Sequence, residues 1–211
     1  MNDARESSRL GHENGTTSET SFVPWRYPDE LEFDIKLHSG ATVHIRPIRS
    51  DDAAKLVAFH AKLSFGSIYR RYFSVHPELS DDEVAYLTEV DYVDRLALVI
   101  EDGDDLVAVG RYDRCPSTTT AEVAFVVRDD HQHLGLGHHL LDALAHAARA
   151  RGVTTFTAET LFENREMMSV FRHSGFPVTS SFSGGQISVR FSIEPAGDQL
   201  VPFDSPSTGT T

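Results

Sequence analysis

AEVAFVVRDDHQHLGLGHHLL, residues 121–141, changes its hydrophobic period partway along. Glu122, Ala124 and Val126 alternate with Val123, Phe125 and Val127 in a run of mostly β-forming residues, the pattern of a strand. Arg128-Asp129-Asp130 interrupts it, and Gln132-His133-Leu134-Gly135-Leu136-Gly137 follows. A helical period then takes over, with Leu140, Leu141, Leu144, Ala147 and Ala148 on one apolar face. A strand, a glycine-bearing loop and a helix start aim several main-chain N–H groups at one point. The first helical turn has no internal acceptors for them, and the macrodipole adds positive charge there. Glycine removes the Cβ atoms that would hold a ligand off the backbone. The stretch therefore predicts an anion seat, most often one for phosphate or pyrophosphate.

Spelling excludes two phosphate loops. A Walker A loop needs a lysine and a hydroxyl residue after its last glycine, where His138 and His139 stand. The dinucleotide fingerprint needs three glycines in GxGxxG, and only Gly135 and Gly137 are present. What remains is Q-x-x-G-x-G after a strand. Farther on comes Asn164-x-x-Met167-x-x-Val170-Phe171-x-x-x-Gly175-Phe176. Together these resemble the GNAT superfamily of acyl-CoA-dependent N-acetyltransferases, whose loop reads Q/R-x-x-G-x-G/A and whose later motif reads N-x-x-A-x-x-L-Y-x-x-x-G-F. VHIRPIRSDD, IYRRYF, VDYVDRLALVI and AEVAFVV are similar to the GNAT domains of bacterial protein-lysine acetyltransferases of the Pat type. Those domains often sit fused to an acyl-CoA-synthetase-like region or a cyclic-nucleotide-binding domain. Neither is expected within these 211 residues, so their regulation is not carried over.

A chain of 211 residues can bury one substantial core, and 40% hydrophobic with 24% charged residues reads as soluble and globular. No apolar run reaches the ~18–20 residues of a membrane span, and no secretory h-region precedes the polar start. The only cysteine, Cys115, rules out an internal disulfide and any CxxC metal site. A cytoplasmic protein is expected, without membrane contact. The net charge is −13, of which residues 22–193 carry −8, the remainder lying in the two ends. That balance argues against a nucleic-acid partner and suits a cationic acceptor such as a lysine or a small amine; acidity for solubility explains it equally well.

Residues 1–21 and 195–211 are polar and are expected to be disordered tails, although Leu200, Val201 and Phe203 offer a short apolar segment. Residues 22–194 form one domain, ordered from near Trp25. The pattern gives a hairpin (Phe33–Leu37 with Thr42–Arg46), then a helix from Ser50 carrying Leu56, Val57 and Leu63 inward. A short helix from Ser64 includes Ile68, Tyr69, Tyr72 and Phe73, and a capping box at Ser80-Asp81-Asp82-Glu83 starts a third. Strands are expected at 96–100, 106–112 and 121–127, a helix to Arg151-Gly152, a strand at 153–158, a helix from Asn164 to Ser174, and a hairpin at 178–193. This order matches the GNAT fold over roughly 33–193. The class is α/β (α+β), a mixed, mostly antiparallel central sheet flanked by helices.

Amide formation from a thioester needs a neutral amine, yet at neutral pH only on the order of one lysine in a thousand is unprotonated. A carboxylate that takes the proton answers this need. The resemblance puts Glu122 in the place of the general-base glutamate; the alternative is a strand glutamate facing solvent or paired with an arginine such as Arg111. It also implies acetyl-CoA as cosubstrate, transfer by direct attack, and a protein acceptor such as an acyl-CoA synthetase. Phe125, Val126 and Val127 would hydrogen-bond the pantetheine through their main chain, or simply pack in the core. Amides from His133 to His138, with Gln132, would hold the pyrophosphate through Leu134, Gly135, Leu136 and Gly137. Asn164 would touch the cofactor arm, cap a helix, or both. Phe171 departs from the family: many members carry a tyrosine whose hydroxyl can protonate the leaving thiolate, and phenylalanine has none. His131, His133, His138 and His139 have the look of a ligand set, but on a phosphate loop polar, solvent-facing side chains are favoured and no metal is expected. Asp91, Tyr92 and Asp94 either face the acceptor or cap a loop.

Overall fold

The computed structural model describes residues 26–37 and 39–194. The two expected tails, and a domain start near Trp25, fall outside the described residues. The hairpin forms from β1 (Phe33–Lys36) and β2 (Thr42–Pro47). Three helices follow, α1 (Ala53–Ala61), α2 (Phe65–Tyr72) and α3 (Asp81–Thr88), then an antiparallel meander of β3 (Arg95–Asp102), β4 (Asp105–Arg114) and β5 (Thr120–Val127). The chain continues through α4 (Leu136–Ala150), β6 (Thr155–Leu161), α5 (Arg165–Arg172) and the hairpin β7 (Val178–Ser183) and β8 (Gln186–Ser192).

Side chains fix the helix starts. Ser64 Oγ accepts the Ser67 N–H at 3.1 Å, and Ser80 with Glu83 forms the expected capping box, with bonds of 2.8 and 3.3 Å. The start at Ser50 differs. Asp52 is buried: it accepts the Arg49 N–H at 2.8 Å and bonds from both terminal nitrogens of Arg46 at 2.7 and 2.8 Å. A 3-10 turn, Ser50–Asp52, therefore precedes α1. Val57, expected inward, is 45% exposed. Leu56, Phe59, His60 and Leu63 share the spacing i, i+3, i+4, i+7, and these four are the buried face. Phe73 does not extend α2; it ends it with φ at 55°.

Eight strands make one sheet in the order β1-β2-β3-β4-β5-β6-β8-β7. Only β5 with β6 is parallel. Helices cover both faces, so the middle of β3, Leu96 to Ile100, is apolar on both sides: Leu96, Leu98 and Ile100 join the core under α4 and α5, while Ala97 and Val99 join the one under α1 and α2. On α4 the expected stripe of Leu140, Leu141, Leu144, Ala147 and Ala148 is fully buried. One junction is short. β5 and β6 pair only at Thr120↔Thr155, Ala121↔Phe156 and Glu122↔Thr157. Beyond that point β5 goes on pairing with β4 to Val127, and β6 with β8 to Leu161, so a wedge opens between them.

Candidate active site

The wedge is the head of a cleft of about 530 Å³, of a size usual for ligand sites. Its walls are β5, β6, α2, the 131–138 loop and the first half of α5. Arg128 donates its N–H to Val107 O at 2.9 Å. Alternation along an antiparallel ladder then turns the main chain of Val126 and Ala124 to β4, and that of Phe125 and Val127 to the open side. Of the three residues expected to pair with a ligand's arm, Phe125 presents its main chain and Val127 its N–H, the Val127 carbonyl being taken by Gln132. Val126 does not; it lines the cleft with its side chain.

The loop end carries a row of unpaired main-chain amides. Among the described residues no protein acceptor takes the N–H groups of 132–137. The N–H of His138 is committed to Gly135 O at 3.0 Å, so His138 borders the cleft without offering a free amide. Gly135, the residue before α4, has φ 84°, a left-handed conformation costly for other residues. Gly137 has a different reason to be glycine: a Cβ there would lie 3.1 Å from Val170 Cγ2, so it admits α5 rather than a ligand. Leu134 packs against the core and is absent from the cleft wall, unlike Gln132, His133, Gly135, Leu136 and Gly137. Gln132 braces the loop, its Nε2 donating to Val127 O at 3.2 Å and Ser67 Oγ at 3.3 Å.

Asn164 caps α5, accepting the Met167 N–H at 3.1 Å, and also lines the cleft. Its two readings are compatible. Thr160 contributes a buried hydroxyl with no partner among the described residues. An orphaned polar atom, a row of free amides and an unpaired strand edge fit a polar, extended, anionic ligand such as an acyl-CoA.

Glu122 is exposed at the apex of the wedge, where β5–β6 pairing stops. Arg111 is not its partner. That guanidinium holds Asp113, the residue directly across from Glu122 on β4, at 2.9 and 3.3 Å, and Arg95 adds a bond of 3.2 Å. Burial would push the Asp113 carboxyl up, but these bonds outweigh it and hold it below the usual carboxylate range. Asp113 thus absorbs the local cations, and Glu122 has no hydrogen-bond or ion-pair partner among the described residues.

Phe171 is 1% exposed and packs between Phe125 and Phe191, its ring tilted to both at centroid distances of 6.4 and 5.7 Å, so its wall of the cleft is apolar. Asp91 caps a loop, its Oδ1 accepting the N–H groups of Val93, Asp94 and Arg95. Tyr92 donates to Ile48 O, Asp94 pairs with Arg114, and none of the three lines the cleft. Cys115 lies at the β4–β5 turn, away from it. Among the described residues no His, Cys, Asp and Glu group is arranged to hold a metal, and no helix is long and apolar enough to cross a membrane. Sequence reasoning passed over α2, which brings Ser67, Arg70, Arg71 and Phe73 to the cleft. The twin arginines in the last turn of a side-chain-capped helix were the available signal.

A wedge in a mixed, mostly antiparallel sheet, with unpaired amides at one end and an unpaired carboxylate at its apex, is consistent with the GNAT fold. Residues 63–176 match the model of the acetyltransferase (GNAT) family. The chain is 32% identical over 144 residues to the acetyltransferase Pat of Mycolicibacterium smegmatis, covering 67% of this chain and 43% of that protein. The solved GNAT domain of S. lividans PAT is 38% identical, covering 79% of this chain and 99% of that one, with a TM-score of 0.75. A cAMP-binding acyltransferase from Mycobacterium smegmatis is 27% identical over 82% of this chain and 50% of its own, with a TM-score of 0.56. The chain belongs to the acetyltransferase (GNAT) family, and it spans under half the length of the curated Pat relative.

Proposed function

We propose that this protein is an acetyl-CoA-dependent N-acetyltransferase whose acceptor is a protein lysine, attacked directly in a ternary complex. The observation that carries the proposal is Glu122, a carboxylate left without a cation at the point where the sheet opens. Acetyl-CoA supplies an acyl thioester. The amides of 132–137 hold its diphosphate, and the main chain of Phe125 with the N–H of Val127 receives the arm. Glu122 takes the proton of the incoming ammonium, directly or through water. Phe171 offers no proton to the departing thiolate, so that proton comes from solvent.

The test is acetyl transfer to a panel of proteins that includes an acyl-CoA synthetase, with small amines alongside, read by acetyl-lysine signal and thiol release. Glu122→Gln is expected to lower kcat by about 10²–10⁴-fold, the usual worth of a positioned base, while acetyl-CoA binding persists. Equal rates in the variant would remove Glu122 as base. Thiol release with small amines alone would move the acceptor to that class, and binding without any transfer would leave an acyl-CoA sensor.

A further inference from the structure

Arg71 is a half-buried cation with no hydrogen-bond or ion-pair partner among the described residues; its guanidinium lies only over the ring of Tyr72, at 5.1 Å. Taking a cation out of water without an anion is costly, and proteins normally pair such groups. Burial pulls the Arg71 guanidinium below its usual pKa, and Asp113 and Glu122 oppose this only from a distance. Asp113 is already saturated by Arg111 and Arg95. Arg71 borders the main cleft and also a small cavity behind it, bounded by Ala124 and Val126 of β5 and by Arg111.

Its place is the end of α2 farther from the loop. The N-terminus of α2 is tied to the loop side by Asp129, which accepts from Ser64 and Ser67. Arg71 comes seven residues after Ser64, about 10 Å along the helix axis at 1.5 Å per residue. It therefore belongs with Glu122 at the reacting end.

We infer that Arg71 is an anion-recognition residue of the reaction site, seating a carboxylate carried close to the reacting carbon. This rests on the transferase reading and narrows its substrate class. The carboxylate has two sources, an acidic group beside the acceptor amine or the far end of a dicarboxylic acyl chain. A planar guanidinium suits either, through paired N–H donors.

Arg71→Met and Arg71→Lys separate the possibilities. Calorimetric titration compares acetyl-CoA with succinyl-CoA, and initial rates compare a lysine peptide flanked by glutamates with one flanked by glutamines. The wild type is expected to prefer the carboxylate-bearing member of one pair by about tenfold or more. Preference between the acyl-CoAs marks the acyl chain as the source, and preference between peptides marks the acceptor. Arg71→Met should erase the preference with acetyl-CoA affinity unchanged, which also shows the fold is intact, and Arg71→Lys should restore part of it. No preference in either pair, or one that survives Arg71→Met, overturns the inference. Succinyl-CoA preference that depends on Arg71, with no transfer to any amine, would keep the anion seat and sink the transferase reading alone.

Discussion

At the scale of single residues, the candidate site depends on a few positions whose chemistry admits no close substitute. Gly135 is one. Alanine at φ 84° costs about 1–2 kcal/mol, and the strain falls on the loop whose amides face the cleft. Gly135→Ala is expected to weaken acyl-CoA binding several-fold in a direct titration, with Gly135→Asn milder because asparagine tolerates that region. Unchanged affinity in both would place the anion seat elsewhere. Glu122 was singled out in the sequence because AEVAF resembles the segment that carries the general-base glutamate of the family, more than by its spacing. That it would be unpaired was not legible, since the sequence leaves Arg111 free to choose between Glu122 and Asp113. The choice follows from register: Asp113 sits two residues along the same strand face, within reach of both Arg111 and Arg95.

At the scale of elements, α2 is coupled to the anion loop through Asp129, which accepts bonds of 2.9, 2.7 and 2.8 Å from Ser64 N–H, Ser64 Oγ and Ser67 Oγ. In the sequence Asp129 is only part of a charged connector, because a contact spanning about 65 positions leaves no periodic trace. Hydrogen bonds to a charged group contribute about 1.5–3 kcal/mol. Asp129→Ala should lower the urea midpoint by an amount of that order and raise KM for acceptor and acyl-CoA together, as α2 loses its fixed angle. A change confined to stability, with both KM values intact, would make the tie purely structural. The helices and strands themselves were legible almost throughout, from caps at Ser64 and Ser80 and from the stripe on α4. Val57, Phe73 and the helix start at Ser50 were the misreadings. The last arises because Arg46, six residues before Asp52 and on another element, draws that acid inward, so a 3-10 turn comes before the first helix.

For the whole molecule, the far side of the sheet is held by a charged cluster rather than by apolar packing alone. Arg46, 4% exposed, spans Asp52 and Glu101, and Lys55 reaches Glu101 at 2.6 Å. Hydrogen bonds from Arg46, against the effect of burial and with Lys55 adding, hold the Glu101 carboxyl at about 2 instead of its ordinary 4.5. A carboxylate with a depressed folded pKa stabilises fully above its unfolded value and loses that contribution as pH falls through the folded one. Stability should hold above about pH 4.5 and decline from there toward pH 2, by on the order of 2 kcal/mol from this group. Arg46→Met leaves the buried Asp52 without a cation and takes one of two cations from the half-buried Glu101; it should cost about 3–5 kcal/mol, while flattening the acid limb of the stability curve measured by urea titration. An acid limb of unchanged slope in that variant would assign the pH dependence to other carboxylates.

The three-rung junction between β5 and β6 means that the sheet is a seam joining two ribbons, five strands on one side and three on the other. An extended ligand in the wedge acts as a removable rung, so the protein's own stiffness becomes a function of occupancy. Amide exchange should register it position by position. The N–H of Val126, turned to β4, stays protected with or without ligand, whereas those of Phe125 and Val127 exchange freely until an acyl-CoA closes the seam.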